Sequence, residues 1–275
     1  MTGEAVGARV PAAFLFASPA PNGGGGMNDD AIPAATLVAV RDRGRAAPEL
    51  LMVERAAGMA FAGGALVFPG GRIDAGDHRL AQQLGLGERG AAAVAAVRET
   101  MEETAVPAGL DPTPDPALAV ALQQALVAGR DFESLLAAHG LRIAADRLTP
   151  FARWVPKFHA VRRFDTLFFL VAAPPGDWQP RAMAGENSAA FWIGAAEALE
   201  RADSGRARLI FPTRRNLERL AQHGSFAEMI ADAQAHSVEP ITPWVEERGG
   251  EQFITIPAGL GYPVTQERLE GLWRG

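Results

Sequence analysis

Short apolar runs separated by polar, glycine-containing turns dominate the chain from residue 34 onward. Residues 35–41 and 50–55 have the length and the side-chain types of β-strands. A polar segment with Gly44 and Pro48 lies between them, as expected for a connection between neighbouring strands. The pattern therefore predicts a β-hairpin at the start of the folded part of the protein.

A third apolar run, residues 65–68, predicts another strand, which is followed by Pro69, Gly70 and Gly71. Glycine adopts positive φ without steric cost, and it also lets the backbone approach a neighbour closely. The two adjacent glycines therefore indicate either a turn with positive φ or a close approach to a ligand.

The strongest helical pattern covers residues 91–106 and is followed by Pro107. Its apolar side chains fall within about 80° of the helical wheel, whereas its three glutamates fall at about 140° to 240°. We therefore expect the carboxylates to share one face, opposite the core. Like charges three and four residues apart repel, so an acidic solvent face and a cation site are the two interpretations. The residues concerned are Val94, Val97, Met101 and Ala105 on the apolar face, and Glu99, Glu102 and Glu103 on the acidic face.

Two further segments have helical patterns: residues 116–139 are rich in alanine and leucine, and residues 216–235 are amphipathic. The N-terminal residues are instead rich in alanine, glycine and proline and show no sustained periodicity, which favours a flexible tail. The predicted division is a tail at 1–33 and one domain at 34–275, with insertions near 78–90 and 107–148.

The composition of the chain mainly excludes certain classes of function and of metal site. Of the 275 residues, 48% are hydrophobic and 21% are charged, which is typical of a globular protein. The net charge of −6 provides no basic field for nucleic acid. The chain has no cysteine, which excludes disulfides and thiolate metal sites. The longest apolar runs are too short to cross a bilayer, so we expect a cytoplasmic protein that binds neither nucleic acid nor membrane.

The glycine turn and the acidic helix together resemble the Nudix box, G-x5-E-x7-R-E-U-x-E-E-x-G-U, in which U is a bulky apolar residue. The matching residues are Gly71, Asp77, Arg98, Glu99, Glu102 and Glu103. Asp77 replaces a glutamate of the pattern, Ala105 replaces its glycine, and Thr100 replaces its first apolar residue. Twenty residues, 78–97, separate Asp77 from the arginine where the pattern has seven.

An insertion inside the box is a feature of one Nudix branch, the coenzyme A diphosphatases similar to the mammalian peroxisomal enzyme. The chain resembles the signature of this branch, L-L-T-x-R-S-x3-R-x3-G-x3-F-P-G-G, although Ala60 stands at its second arginine. The matching residues are Leu51, Met52, Arg55, Gly64, Phe68, Pro69, Gly70 and Gly71. The resemblance implies an α/β fold, namely an α/β/α sandwich with a mixed central sheet and helical insertions.

Diphosphate hydrolysis calls for divalent cations, because they neutralise the substrate's charge and activate water. Mg²⁺ prefers oxygen ligands, which suits a cysteine-free chain with clustered glutamates. The resemblance therefore implies Mg²⁺ or Mn²⁺ as cofactor and Arg98 as a residue that orients the carboxylates. It implies that the metal site comprises Glu99, Glu102, Glu103, a carbonyl of Gly70 or Gly71, and Asp77, the last acting through a water or an ion pair.

A base must also accept a proton from the attacking water. In this family it is either a glutamate of the box or a carboxylate on a distant loop, for which Glu186 is the candidate. A structural role for Glu186 near Trp192 is the alternative. Guanidinium groups match phosphate oxygens, although a single arginine is more often an ordinary surface residue. The candidate substrate-binding residues are Arg55, Phe68, Arg162 and Arg163.

Three functions follow from these residues. The first is hydrolysis of coenzyme A or an acyl-coenzyme A to (acyl-)phosphopantetheine and adenosine 3′,5′-bisphosphate. The second keeps the chemistry but replaces the substrate with ADP-ribose, NADH or a nucleotide sugar. The third, of another class, is a sensor module that binds a nucleotide without turnover. The expected partner is a small nucleotide diphosphate in each case, with a homodimer as the candidate assembly.

Overall fold

The structure is a computed structural model that describes residues 31–44, 46–58, 62–156 and 163–269. Its strands are β1 (Ile32–Arg43), β2 (Ala46–Arg55), β3 (Ala65–Val67), β4 (Gly70–Arg72), β5 (Leu110–Asp111), β6 (Arg142–Ile143), β7 (Thr149–Trp154), β8 (Phe164–Ala172), β9 (Asn187–Gly194), β10 (Arg208–Leu209), β11 (Pro240–Ile241), β12 (Trp244–Arg248), β13 (Glu251–Thr255) and β14 (Gln266–Arg268).

Helices cover both faces of the main sheet. They are α1 (Ala75–Gln83), α2 (Gly90–Thr104), α3 (Pro116–Val127), α4 (Phe132–Ala138), α5 (Ala195–Asp203), α6 (Phe211–Leu220) and α7 (Phe226–Ala235), with a short 3₁₀ turn at Ala145–Arg147. In the described part of the chain, none of these helices combines the length and the apolar character needed to span a membrane.

The local predictions from the sequence are confirmed for the hairpin, for β3 and for the acidic helix. Strands β1 and β2 pair antiparallel, with Val40 opposite Leu50. Helix α2 ends at Thr104, two residues before the predicted end, because Ala105 adopts a left-handed backbone. The predicted helix at residues 116–139 divides into α3 and α4. Strand β1 begins at Ile32, inside the segment assigned to the tail, while residues 1–30 lie outside the described residues.

The main sheet contains nine strands of mixed direction. Its order is β10-β3-β2-β1-β8-β7-β11, with β4 also paired to β1 and β9 also paired to β2. Strand β1 runs parallel to β8 and antiparallel to both β2 and β4. The predicted mixed central sheet is therefore confirmed.

Side chains of β1 alternate between two core clusters, as expected because successive strand residues point to opposite faces. Ala35, Leu37 and Ala39 pack in a cluster with residues of α1, α2, α3 and α4. Val38 and Val40 pack in a second cluster with residues of α5, α6 and α7. The sheet thus lies between two helical layers, which confirms the predicted α/β/α sandwich.

A buried ion pair joins two helices of the second layer. The Arg219 Nε donates to Asp232 Oδ2 at 2.7 Å, which connects α6 with α7. The Arg219 Nη1 also donates to the Phe151 carbonyl on β7 at 3.2 Å. This pair lies on the side of the sheet that is remote from α2, and it ties the second layer to the sheet.

Candidate active site

Helix α2 packs against β1, β4, α1 and α3, so that few of its side chains reach solvent. The expectation that its glutamates lie opposite the core is wrong for Glu103, whose exposed fraction is 2%. Side-chain exposure is 17% for Glu99 and 23% for Glu102. The helical wheel describes one isolated helix, whereas neighbouring elements cover the acidic face as well as the apolar one. A solvated acidic surface is therefore excluded.

Gly70 and Gly71 form strand β4 with Arg72 and bring the backbone close to two neighbours. A Cβ atom on Gly70 would lie 2.5 Å from the Ala35 carbonyl oxygen of β1. A Cβ atom on Gly71 would lie 2.4 Å from Glu99 Oε1. Neither glycine has positive φ. The expected positive-φ turn is thus wrong, and close approach is what requires glycine at both positions.

Arg98 and Asp77 form a bidentate ion pair across the insertion in the box. The Arg98 Nε and Nη2 donate to Asp77 Oδ1 and Oδ2, each at 2.9 Å. The Asp74 backbone N–H also donates to Asp77 Oδ2, at 2.8 Å. Since both oxygens of this buried carboxylate have partners, its contacts support the ion-pair role rather than direct metal ligation.

Arg98 also reaches the glutamates of its own helix. Its Nη1 donates to Glu99 Oε1 at 2.9 Å and lies 3.6 Å from Glu102 Oε2. Its Nη2 donates to the Arg72 carbonyl at 3.1 Å, which fixes the guanidinium against β4. These contacts are the ones expected of an arginine that orients the carboxylates.

The surroundings of the acidic cluster disfavour the ionised form of its three glutamates. Burial, and secondarily the charge of Glu99, raises the pKa of Glu103 to about 8, although Arg55 and a Gly70 backbone hydrogen bond oppose the shift. Burial also raises the pKa of Glu99 to about 7, against the attraction of Arg98. The pKa of Glu102 is raised by burial as well. A bound cation would compensate this unfavourable charge.

The donor set of the cluster fits a hard divalent cation. The Glu103 Oε2 is buried and has no hydrogen-bond partner among the described residues. The contact between Gly71 and Glu99 places a carboxylate against backbone that carries further oxygen atoms. All available donors are oxygens, as Mg²⁺ and Mn²⁺ prefer. Within the described ranges, no three acidic or histidine side chains already converge as a metal site, and Glu99 and Glu102 are directed to Arg98.

Residues 181–187 form a strap over the end of α2. The Arg181 and Met183 backbone N–H groups donate to the Thr104 and Glu103 carbonyls, at 2.7 and 3.1 Å. At its other end the strap meets the residue that follows β2, where the Ala56 N–H donates to the Glu186 carbonyl at 2.8 Å. This places the exposed Glu186 near the cluster, and its negative charge raises the pKa of both Glu102 and Glu103.

The four candidate substrate-binding residues lie in different places. Arg55 is the last residue of β2. Its positive charge opposes the rise in the pKa of Glu103, so Arg55 lies close enough to the cluster to act on this carboxylate. Phe68 is buried in the second core cluster, on the other face of the sheet, so its position does not support a substrate contact. Arg163 lines a separate cavity of about 230 Å³ with Arg153. Arg162 lies outside the described residues.

The structure adds two amide side chains that sequence reasoning missed. The Gln123 Nε2 of α3 donates to the Glu102 carbonyl at 3.1 Å and to the Arg181 carbonyl at 2.8 Å, so it joins α2 to the strap. Asn187, at the start of β9, is buried. The available signal was a polar amide within an apolar pattern: Gln123 in an alanine-rich and leucine-rich helix, and Asn187 at the beginning of an apolar strand.

No protein-family model matches the chain, and no curated protein sequence matches it. The structure resembles the crystal structure of a Nudix hydrolase from Alicyclobacillus acidocaldarius, with a TM-score of 0.65 and 30% sequence identity. That alignment covers 74% of this chain and 97% of the other.

Two further solved structures align with lower scores. A MutT Nudix hydrolase from Burkholderia pseudomallei has 18% identity and a TM-score of 0.38, with 69% of this chain and 97% of that chain covered. The Nudix domain of Shewanella oneidensis NrtR, crystallised with ADP ribose, has 14% identity and a TM-score of 0.41, with 70% and 87% covered.

The fold, the acidic helix and the 30% identity to the Alicyclobacillus protein lead to one class, that of enzymes that hydrolyse diphosphates. The chain belongs to the Nudix hydrolase family. Enzymes of this family generally use divalent metals.

Proposed function

We propose that this protein hydrolyses the diphosphate linkage of a nucleoside diphosphate derivative, with coenzyme A or an acyl-coenzyme A as first candidate substrate. The observation that carries the proposal is the buried carboxylate cluster on α2, in which Glu103 has an unpartnered oxygen beside the Gly70–Gly71 backbone. The Arg98–Asp77 ion pair supports the choice of branch, because it keeps the box together although twenty residues separate the two side chains where the pattern has seven.

In this proposal, Glu99, Glu102 and Glu103, with a carbonyl of Gly70 or Gly71, hold Mg²⁺ or Mn²⁺. Such a metal neutralises phosphate charge and lowers the pKa of water. The burial of three carboxylates supports this assignment. Their buried negative charge destabilises the fold, and a bound cation compensates that charge.

The chain's own residues supply orientation and proton transfer. Arg98 holds Glu99 and Glu102 in position through the contacts described above. A water attacks one phosphorus atom, the bridging P–O bond breaks, and Glu186 accepts the proton of that water. The exposed position of Glu186 beside Glu102 and Glu103 supports this role. Arg55 stabilises the negative phosphate oxygens.

With coenzyme A, the products are phosphopantetheine and adenosine 3′,5′-bisphosphate. The substrates ADP-ribose, NADH and a nucleotide sugar require the same bond cleavage and differ in the groups that flank the diphosphate. Ala60 at the second arginine of the coenzyme A signature favours testing them in parallel.

The test is incubation of the purified protein with Mg²⁺ or Mn²⁺ and each of these four substrates, with products identified by mass. We expect coenzyme A to be cleaved fastest. We expect Glu103→Gln to reduce kcat/KM by about 100-fold or more, because an amide is a poor ligand for a hard cation. Glu197→Gln, on the exposed surface of α5, is the matched control and should retain activity.

Each outcome has a distinct meaning. Faster cleavage of ADP-ribose, NADH or the nucleotide sugar would refute the coenzyme A assignment and leave the family chemistry in place. Nucleotide binding without turnover under either metal would refute the enzymatic proposal and indicate the sensor module. Full activity of Glu103→Gln would refute the assigned metal ligands.

A further inference from the structure

A β-bulge places Asn187 beside Arg55. Strands β2 and β9 form six regular antiparallel pairs, after which the register shifts so that Arg55 lies opposite Asn187 and Ser188 is the extra residue. Bulges of this kind redirect a side chain and occur often beside active sites. Leu51 and Trp192, which are paired earlier in the same ladder, both pack on the α2 side of the sheet. Alternation puts Arg55 on that side as well, and the bulge brings Asn187 next to it instead of Ser188.

Three side-chain atoms at this position have no hydrogen-bond partner among the residues that the structure describes. The exposed fraction of Asn187 is 5%, and both its Oδ1 and its Nδ2 are buried without a hydrogen bond among the described residues. The Arg55 Nε is also buried and unpartnered in the described part of the chain. Buried polar groups in proteins nearly always have a partner. Two of these atoms, Arg55 Nε and Asn187 Nδ2, are donors on facing residues, so one acceptor group of a ligand would satisfy both.

The chemistry of these atoms selects the ligand. Arg55 Nε and Asn187 Nδ2 are both donors, and Arg55 carries a positive charge. Arg55 acts electrostatically on Glu103, so the pair of donors lies beside the carboxylate cluster. An anionic oxygen is the group that accepts hydrogen bonds from both donors and compensates the arginine.

We propose that Asn187 is a phosphate-binding residue, whose Nδ2 donates, together with Arg55, to a non-bridging oxygen of the substrate diphosphate. This inference rests on the proposed function and extends it to a residue outside the box and outside the coenzyme A signature. It also accounts for the bulge, because regular pairing would place Ser188 opposite Arg55, and the shorter serine offers one hydroxyl where asparagine offers an amide.

The test compares Asn187→Ala and Asn187→Asp with wild type, and uses Ser188→Ala as the matched neighbour. Ser188 is exposed, and its hydroxyl donates only to the Glu54 carbonyl, at 3.2 Å, among the contacts of the described residues. Three quantities are measured: kcat and KM on the fastest substrate, the affinity for α,β-methylene-ADP with Mg²⁺ by calorimetry, and the melting temperature.

We expect Asn187→Ala to weaken binding of α,β-methylene-ADP, and to raise KM, by roughly tenfold. Asn187→Asp should weaken binding and raise KM more strongly than Asn187→Ala does, because its carboxylate has no N–H to donate and repels the phosphate. The melting temperature of Asn187→Ala should equal or exceed that of wild type, since the substitution removes a buried amide without partners. Ser188→Ala should match wild type in all three quantities.

A structural role would give a different order. If Asn187 served only to accept a hydrogen bond from Arg55, Asn187→Asp would keep wild-type affinity while Asn187→Ala lost both affinity and thermal stability, and the inference would be overturned. Unchanged KM and affinity in both variants, with active wild type, would overturn the inference alone. A wild type that neither cleaves any substrate nor binds α,β-methylene-ADP would overturn the proposed function, and the inference with it.

Discussion

Ala105 ends helix α2 in a left-handed conformation, with φ 55° and ψ 18°. This conformation costs an L-residue about 1–2 kcal/mol, which glycine would avoid. The substitution Ala105→Gly also removes a buried methyl group, at about 0.8 kcal/mol, and adds backbone freedom, at about 0.5–1 kcal/mol. Because these effects nearly cancel, we expect the free energy of unfolding to stay within about 0.5 kcal/mol of wild type.

Ala95 provides the matched control for Ala105, since it is fully buried in the regular part of the same helix. Ala95→Gly loses a methyl group and gains backbone freedom without relieving strain, so it should cost about 1.3–1.8 kcal/mol. Urea denaturation of both variants measures the difference. Equal losses at the two positions would contradict the role assigned to the backbone at Ala105.

The raised pKa of Glu103 predicts a pH dependence for the metal-free protein. In the folded chain its pKa is about 8, against an ordinary value of 4.5, so the folded state binds more protons between these values. The stability contributed by that proton is fully present below about pH 4.5 and is lost as the pH rises through about 8. We expect the melting temperature in the presence of a chelator to fall between pH 5 and pH 9.

Glu103→Gln isolates this effect, because glutamine cannot titrate. The variant should show a smaller fall in melting temperature over the same pH range. Thermal denaturation in a chelator, with wild type and variant measured side by side, is the appropriate experiment. Parallel curves for the two proteins would show that other groups cause the pH dependence.

At the scale of elements, Gln123 connects α2, α3 and the strap through two backbone carbonyls. Gln123→Met keeps the approximate volume but removes both hydrogen bonds, so we expect a loss of about 1–3 kcal/mol in the free energy of unfolding. Since the strap also carries Glu186, kcat/KM should fall as well.

Gln124, the next residue of α3, is exposed, and Gln124→Met is the control for the change in side-chain chemistry. Its effect on stability should be within about 0.5 kcal/mol. Chemical denaturation and steady-state kinetics measure the two effects. Wild-type activity in a destabilised Gln123→Met protein would show that the strap does not need this connection to position Glu186.

At the scale of the whole molecule, the carboxylate cluster and the buried ion pair lie in different helical layers. The carboxylate cluster belongs to the first layer, whereas the Arg219–Asp232 pair belongs to the second. Asp232→Asn leaves the buried Arg219 charge without its counter-ion, which should cost about 3 kcal/mol. Well below the melting temperature, kcat should be unchanged because the cluster lies across the sheet.

An exposed pair gives the comparison for Asp232→Asn. Glu200 and Arg206 are 3.0 Å apart on the surface, with side-chain exposures of 73% and 59%. Glu200→Gln should change the free energy of unfolding by less than about 1 kcal/mol. Calorimetry of both variants measures the contrast, and a loss of kcat in folded Asp232→Asn would show that the layers are coupled.

The sequence pattern was sufficient to predict those elements that depend on residues close together in the chain. The hairpin, β3 and α2 follow from apolar spacing and turn residues within a few positions of each other. Burial of Glu103 and the core position of Phe68 depend on which elements cover them, and a single segment does not contain that information. The strap could not be predicted for another reason. Its hydrogen bonds to α2 are donated by backbone N–H groups, which every residue except proline possesses.

The ion pair between Asp77 and Arg98 has an evolutionary consequence. The segment from Asp77 to Arg98 comprises most of α1, the loop at residues 84–89 and the first part of α2, and one contact fixes its two ends relative to each other. Deletions or additions within the loop between α1 and α2 leave the glutamates where they are, provided the contact survives. Descendants of this gene are therefore free to diverge in length there, and two chains with the same catalytic centre need not share the same separation between its parts.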